Sequence, residues 1–164
     1  MRISVVLASM LACISTPAWA GWDYTEWDMS PDQVVAASDG QVDITPHDPK
    51  TVLMGNSQLA VGKSSFEGVT LNAAFYFDPE TQMLRAIDLL PERQDCDAFS
   101  AALQTRFGAR EMETSDFFLE DGAPRMLEGK QSWIDQENRT QFSYLEFRSS
   151  TKVMLLCKLL VEPI

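Results

Sequence analysis

The alternation of apolar and polar residues is clearest between Phe66 and Leu90. Val69, Leu71, Ala73, Phe75 and Phe77 recur at every second position, and Thr70, Asn72, Tyr76 and Asp78 fill most of the places between. A period of two predicts a strand with one buried face. Asp78-Pro79-Glu80-Thr81-Gln82 follows with turn chemistry, because Pro79 presets φ and Asp78 can bond its own backbone two residues on. A second apolar run, Met83 to Leu90, completes a β-hairpin. Its apolar positions Leu84, Ile87 and Leu89 do not keep one parity, which predicts a bulge near Arg85-Ala86.

Two helices are predicted on either side of this hairpin. In Met29-Ser30-Pro31-Asp32-Gln33-Val34, Ser30 is placed as a cap, Pro31 suits the first helical position and Gln33 completes a capping box. Met29 and Val34 are spaced for a hydrophobic staple, and Gly40 is a stop, so a short helix is expected over 31–38. The second helix runs from Cys96 to Phe107. Cys96, Phe99, Leu103 and Phe107 make one apolar stripe, with Asp95 as N-cap and Gly108 as terminator.

The remaining strands are weaker. Residues 41–57, with Pro46, Asp48, Pro49, Gly55 and Asn56, read as loop with at most a brief strand at Thr51 to Met54. Gln58 to Lys63 is a further strand candidate. Residues 109–129 are acidic, with Gly122, Pro124 and Gly129, and read as an exposed loop or weak hairpin. Gln131 to Asp135 and Thr140 to Phe147 flank a polar turn, and Lys152 to Val161 closes the series. In that last run Val153, Leu155, Cys157, Leu159 and Val161 share a face. Helix, strands, helix, strands predicts one α+β domain over 21–164: an antiparallel sheet with two short helices packed on one face, in two α-then-β-hairpin units.

The first 20 residues stand apart. A basic start, an apolar run from Ile3 to Ala12 and the triplet Ala18-Trp19-Ala20 before Gly21 are the marks of a secretory signal peptide cut after Ala20. The run is shorter than the roughly 18 apolar residues that span a bilayer. Met10-Leu11-Ala12-Cys13 is a competing lipid-attachment sequence. Periplasmic or secreted location follows as the expectation, with no transmembrane segment after cleavage.

Charge narrows the partners. Without Arg2 the chain holds 12 basic against 24 acidic residues, a formal net charge of −12. Nucleic-acid binding needs a basic footprint, so it is excluded, and anionic membranes are disfavoured on the same ground. Two cysteines remain beyond the leader, Cys96 and Cys157. An even pair in an oxidising compartment predicts a disulfide, and a redox-active pair would stand as Cys-x-x-Cys.

The capped Met29-Ser30-Pro31-x-Gln33-Val34 helix leading to strands that end Phe75-x-Phe77-Asp78 resembles a class of small bacterial periplasmic helix-then-strands domains. The class includes the β-lactamase-inhibitor protein and the small lipoprotein of the outer-membrane β-barrel assembly machine. The match covers about residues 27–90 and lacks the glycine such domains carry before the Met-Ser step. The resemblance implies protein binding rather than catalysis and transfers no site residue.

Catalytic patterns are sparse. The single histidine, His47, stands between Pro46 and Asp48, and no Gly-x-Ser-x-Gly elbow accompanies it. One histidine and a paired cysteine set do not make a zinc site. Glu111, Glu113, Asp116, Glu120 and Asp121 crowd one segment without EF-hand spacing, so a solvated acidic segment is expected there rather than calcium. Asn138-Arg139-Thr140 is a glycosylation sequon by letter, in a predicted turn. The expected function is therefore a binding domain without cofactors, in concrete form an inhibitor or immunity-type protein for a basic partner. Candidate contacts are that acidic segment and the aromatics Trp22, Tyr24 and Trp27, for which pinning the N-terminal end to the core is the competing role. The alternative is a small hydrolase of cell-envelope glycans built on carboxylates, which leave no spacing signature in sequence.

Overall fold

A computed structural model describes residues 21–164 apart from 93–94, 118–125 and 150–152. The expected leader with Cys13, and the candidate contacts Glu120 and Asp121, lie outside the described residues. The elements in chain order are α1 (Pro31–Ala37), β1 (Val42–Ile44), β2 (Val52–Leu53), β3 (Asn56–Phe66), β4 (Val69–Phe77), β5 (Leu84–Pro91), α2 (Cys96–Phe107), β6 (Glu113–Phe117), β7 (Met126–Asp135), β8 (Thr140–Ser149) and β9 (Met154–Pro163).

The strands form one nine-stranded antiparallel sheet in the order β1-β3-β4-β5-β9-β8-β7-β6, with β2 added beside β3. Each helix precedes a meander of strands. The last strands of the two meanders meet at the centre, where Ile87, Asp88 and Leu89 pair with Val161, Leu160 and Leu159. The fold is thus the α+β arrangement that the element order predicts.

Local chemistry explains the helices. Ser30 Oγ accepts from Gln33 N at 3.4 Å and Gln33 Oε1 accepts from Ser30 N at 2.8 Å, closing the capping box at the start of α1. Asp95 Oδ1 accepts from Ala98 N at 3.2 Å to open α2. The hairpin bulge is also present. Phe77 pairs with Leu84 and Tyr76 with Ala86, which leaves Arg85 as the extra residue, free to reach Asp28 at 2.6 Å.

Both helices lie on one face. Val34 of α1 and Cys96, Phe99 and Leu103 of α2 are buried with Leu71, Phe75, Phe77, Leu89, Tyr144 and Leu159. The sheet curls around this face. Four strand spacings of about 4.8 Å would put β3 about 19 Å from β8 in a flat sheet. Yet Phe66 of β3 and Phe142 of β8 both touch Trp22, at ring-centroid distances of 5.0 and 6.2 Å, and both stack on Phe107, at 6.1 and 4.6 Å. Cys96 and Cys157 are joined, with Cα atoms 5.7 Å apart, so the first turn of α2 is stapled to the central strand β9.

One expectation is corrected and one is narrowed. The stretch after Gly40 is not all loop, because Val42–Ile44 pairs with Ala60–Gly62. Gly62 allows that approach: a Cβ there would collide with Gln41 O and stand 2.7 Å from Val42 Cγ2. Of the two readings of residues 109–129, the hairpin is the one found: β6 pairs antiparallel with β7, whose strand runs from Met126 onward. Gly129 sits inside β7 because the side chains of Met112 and Glu146 occupy the space a Cβ would need.

Candidate binding surface

Antiparallel strands alternate their side chains between two faces, and here only one face carries helices. Register identifies the residues of the other. Asp88 and Leu90 on β5, Tyr76 and Ala74 on β4, and Lys158, Leu160 and Glu162 on β9 are out of phase with the core set. So are Ser143 and Leu145 on β8 and Lys130, Ser132 and Ile134 on β7. Among the described residues, neither helix packs on this face.

Several positions on it are apolar. Val61, Leu90, Leu145, Phe147 and Leu156 are half-buried and Ile134 is 54% exposed. Between Leu90, Val61 and Ala74 lies a shallow depression of about 420 Å³, bordered by Lys63, Asn72 and Asp43.

A charged pair stands at the centre. Lys158 Nζ donates to Asp88 Oδ2 at 3.0 Å, and both side chains are largely buried, 18% and 12% exposed. Among the described residues, Asp88 Oδ1 has no hydrogen-bond partner. Burial pushes the Asp88 carboxyl above the ordinary carboxylate range, although Lys158 pulls the other way. The Asp88 charge in turn adds to burial in raising the Tyr76 phenol, whose hydroxyl lies 3.4 Å from Gln58 Oε1. Burial raises Glu162 as well, against the opposing pull of Lys130. Burial thus disfavours the charged forms of Asp88 and Glu162, and donors on a partner surface can offset that cost.

The residues singled out from the sequence fall in different places. Trp22 and Tyr24 are not surface contacts. They are buried, because Trp22 Nε1 donates to Ser64 Oγ at 3.1 Å while its ring packs on Phe66 and Phe142, and Tyr24 packs on Phe75. Burial and the nearby Asp23 push the Tyr24 phenol up to about 12. Trp27 is half-buried, with its indole nitrogen 3.0 Å from Thr140 Oγ1. All three pin the N-terminal segment to the helix-bearing face. Glu111 and Glu113 are exposed, Glu113 and Asp116 belong to β6, and Glu113 stands opposite Lys130 of β7. The structure thus separates the two groups, with the aromatics inside and the acidic residues at the far edge of the sheet.

Other polar clusters hold the fold. Asp135 accepts from Asn138 N at 3.1 Å and from Asn138 Nδ2 at 2.8 Å, which keeps its carboxyl below the usual range and fixes the β7–β8 turn. Glu146 accepts from Arg148 Nε at 2.8 Å beside the buried Tyr144 hydroxyl, whose titration burial raises. His47 is exposed. Among the described residues no group of three histidine, cysteine or acidic side chains is placed to hold a metal ion, and no helix is long and apolar enough to cross a membrane.

Sequence reasoning put both helices on one face but did not single out the other as a binding surface. A signal was present: Leu89-Leu90 and Leu159-Leu160 put apolar residues on both parities of the two central strands. Compared with known protein families, with characterised proteins and with solved structures, the chain matches none.

Proposed function

We propose that this chain is an exported, non-catalytic binding domain that docks a basic protein on the open face of its sheet. The observation that carries the reading is that face itself. Among the described residues it is bare of helices, and it is apolar at Leu90, Leu145, Phe147 and Leu156 and centred on a largely buried Asp88–Lys158 pair. A net charge of −12 without Arg2 favours a cationic partner and speeds its encounter. The Cys96–Cys157 bond suits an oxidising compartment, in keeping with the leader-like start. The resemblance to periplasmic helix-then-strands domains points the same way, toward an inhibitor or immunity-type role.

The test is capture from periplasmic extract on the immobilised chain, beside a Leu90→Lys/Leu145→Lys variant whose disulfide and circular dichroism are unchanged. The expected result is a partner held at low salt, released at high salt and not held by the variant. Retention by the variant would remove the open face from the account.

A glycan hydrolase has one observation in its favour: Asp88 and Glu162, both raised by burial, share the open face. Turnover of peptidoglycan fragments that Asp88→Asn and Glu162→Gln each abolish would favour that second reading.

A further inference from the structure

The two edges of the sheet are treated differently. At one, β1 is three residues long and stands beside α1, whose Val34 is buried. Main-chain bonds from Lys63 to Gln41, Thr45 to Leu59 and Gln58 to Thr51, together with β2, cover the outer side of β3. At the other edge β6 pairs with β7 through five consecutive residues without a register shift. Among the described residues β6 has no strand on its outer side. Edge strands are commonly protected by lysine, proline or a bulge, and β6 has none of these.

What β6 carries instead is negative charge. Glu113 and Asp116 lie in the strand and Glu111 just before it, with Glu111 and Glu113 exposed and of the same parity. Two such edges paired with each other would bring like charges together, which opposes self-association. A strand with basic side chains at every second position would place them two residues apart, as Glu111 and Glu113 are. Glu113 would then lie between Lys130 on one side and a partner cation on the other.

We propose that β6 is where the partner adds an extended segment, with lysine or arginine at alternate positions, as a further strand of the sheet. The inference rests on the protein-binding reading above and adds the place and the conformation of the contact. Main-chain hydrogen bonds from the β6 edge supply affinity whatever the sequence, and Glu113, with Glu111 two residues ahead of it, selects the basic segment. The added strand extends the open face, so edge and face form one continuous surface.

The experiment uses the ¹⁵N-labelled chain and a blocked synthetic peptide of alternating lysine and valine. Its fully N-methylated analogue keeps the charge and removes the main-chain donors. The plain peptide is expected to shift the amide signals of residues 113–117, to bind at least about tenfold more tightly than the analogue, and to be weakened by Glu113→Lys. Equal binding of the two peptides, or shifts that leave 113–117 untouched, overturns the inference. That outcome is read separately from the capture experiment. A captured protein that binds with 113–117 unperturbed refutes the edge alone, and failure to capture any protein counts against the reading on which it rests.

Discussion

The indole nitrogen of Trp27 donates to Thr140 Oγ1 over 3.0 Å, joining the segment before α1 to the first residue of β8 across 113 positions of sequence. Thr140 is fully buried and its hydroxyl in turn donates to Asn138 O at 2.9 Å. Trp27→Phe keeps most of the ring and removes the donor. It is expected to cost about 1 kcal/mol in urea denaturation, the usual net worth of one such bond. A loss within error would mean that the bond contributes nothing in solution.

The Cys96–Cys157 bond spans 61 positions. Chain entropy gives a loop of this length roughly 4 kcal/mol of stabilisation, less any native strain. Reduction, or a Cys96→Ala/Cys157→Ala variant, should lower unfolding free energy by about that amount. Two titratable thiols in the unreduced, denatured protein would contradict the pairing.

Gly62 should not tolerate a methyl group. A Cβ would strike Gln41 O, a main-chain atom held by Lys63 N at 3.0 Å, and Val42 Cγ2. Alanine is the better residue in an open strand, but here overpacking prevails, and Gly62→Ala is expected to cost about 1–3 kcal/mol. An unchanged thermal midpoint would show that β1 can move away freely.

Opposite pH slopes are expected from two pairs of carboxyls. Asp78 and Asp135 are held below the ordinary range, chiefly by main-chain donors of Thr81 and Asn138. Their contribution is complete above about pH 4, the unfolded value, and is lost as pH falls through their depressed folded values. Asp88 and Glu162 are raised, so their burial penalty is absent below about pH 4 and grows as pH rises through their folded values. Stability measured against pH should lose part of its acid-side fall in Asp135→Ala. The weakening above about pH 4 should flatten in an Asp88→Asn/Lys158→Met variant, which removes the pair together. Breaking the pair with Lys158→Met alone is expected to cost about 2 kcal/mol at neutral pH, less than a fully buried pair because both groups keep some exposure.

Elements with local chemistry were legible in the sequence, and elements set by distant contacts were not. Ser30, Pro31 and Gln33 define α1, Asp95 and the apolar stripe define α2, and the parity break at Leu84 and Ile87 locates the bulge at Arg85. The strand β1 was hidden because its pairing depends on Gly62, some twenty residues on. Acidic residues and Gly129 left loop and hairpin both open for β6 and the start of β7, where Met112 and Glu146 pack against the glycine of the strand. The charged pair on the open face was illegible for a related reason. Asp88 looks like an ordinary polar position until Leu160 and Lys158 are placed beside it by the β5–β9 pairing. The aromatics near Trp22 read as anchors of the terminus with a contact role as the other possibility, and Ser64, Phe66 and Phe142 hold Trp22 as an anchor.

Docking on the open face is read out by lysine footprinting of the complex with the captured partner. Lys63 and Lys130 stand on the open face, while Lys50 is exposed on the loop before β2 and serves as the internal control. Acetylation before and after partner binding, read by mass spectrometry, should fall at Lys63 and Lys130 and stay unchanged at Lys50. Equal acetylation of Lys63 and Lys130 in the free and bound chains would contradict docking on the open face.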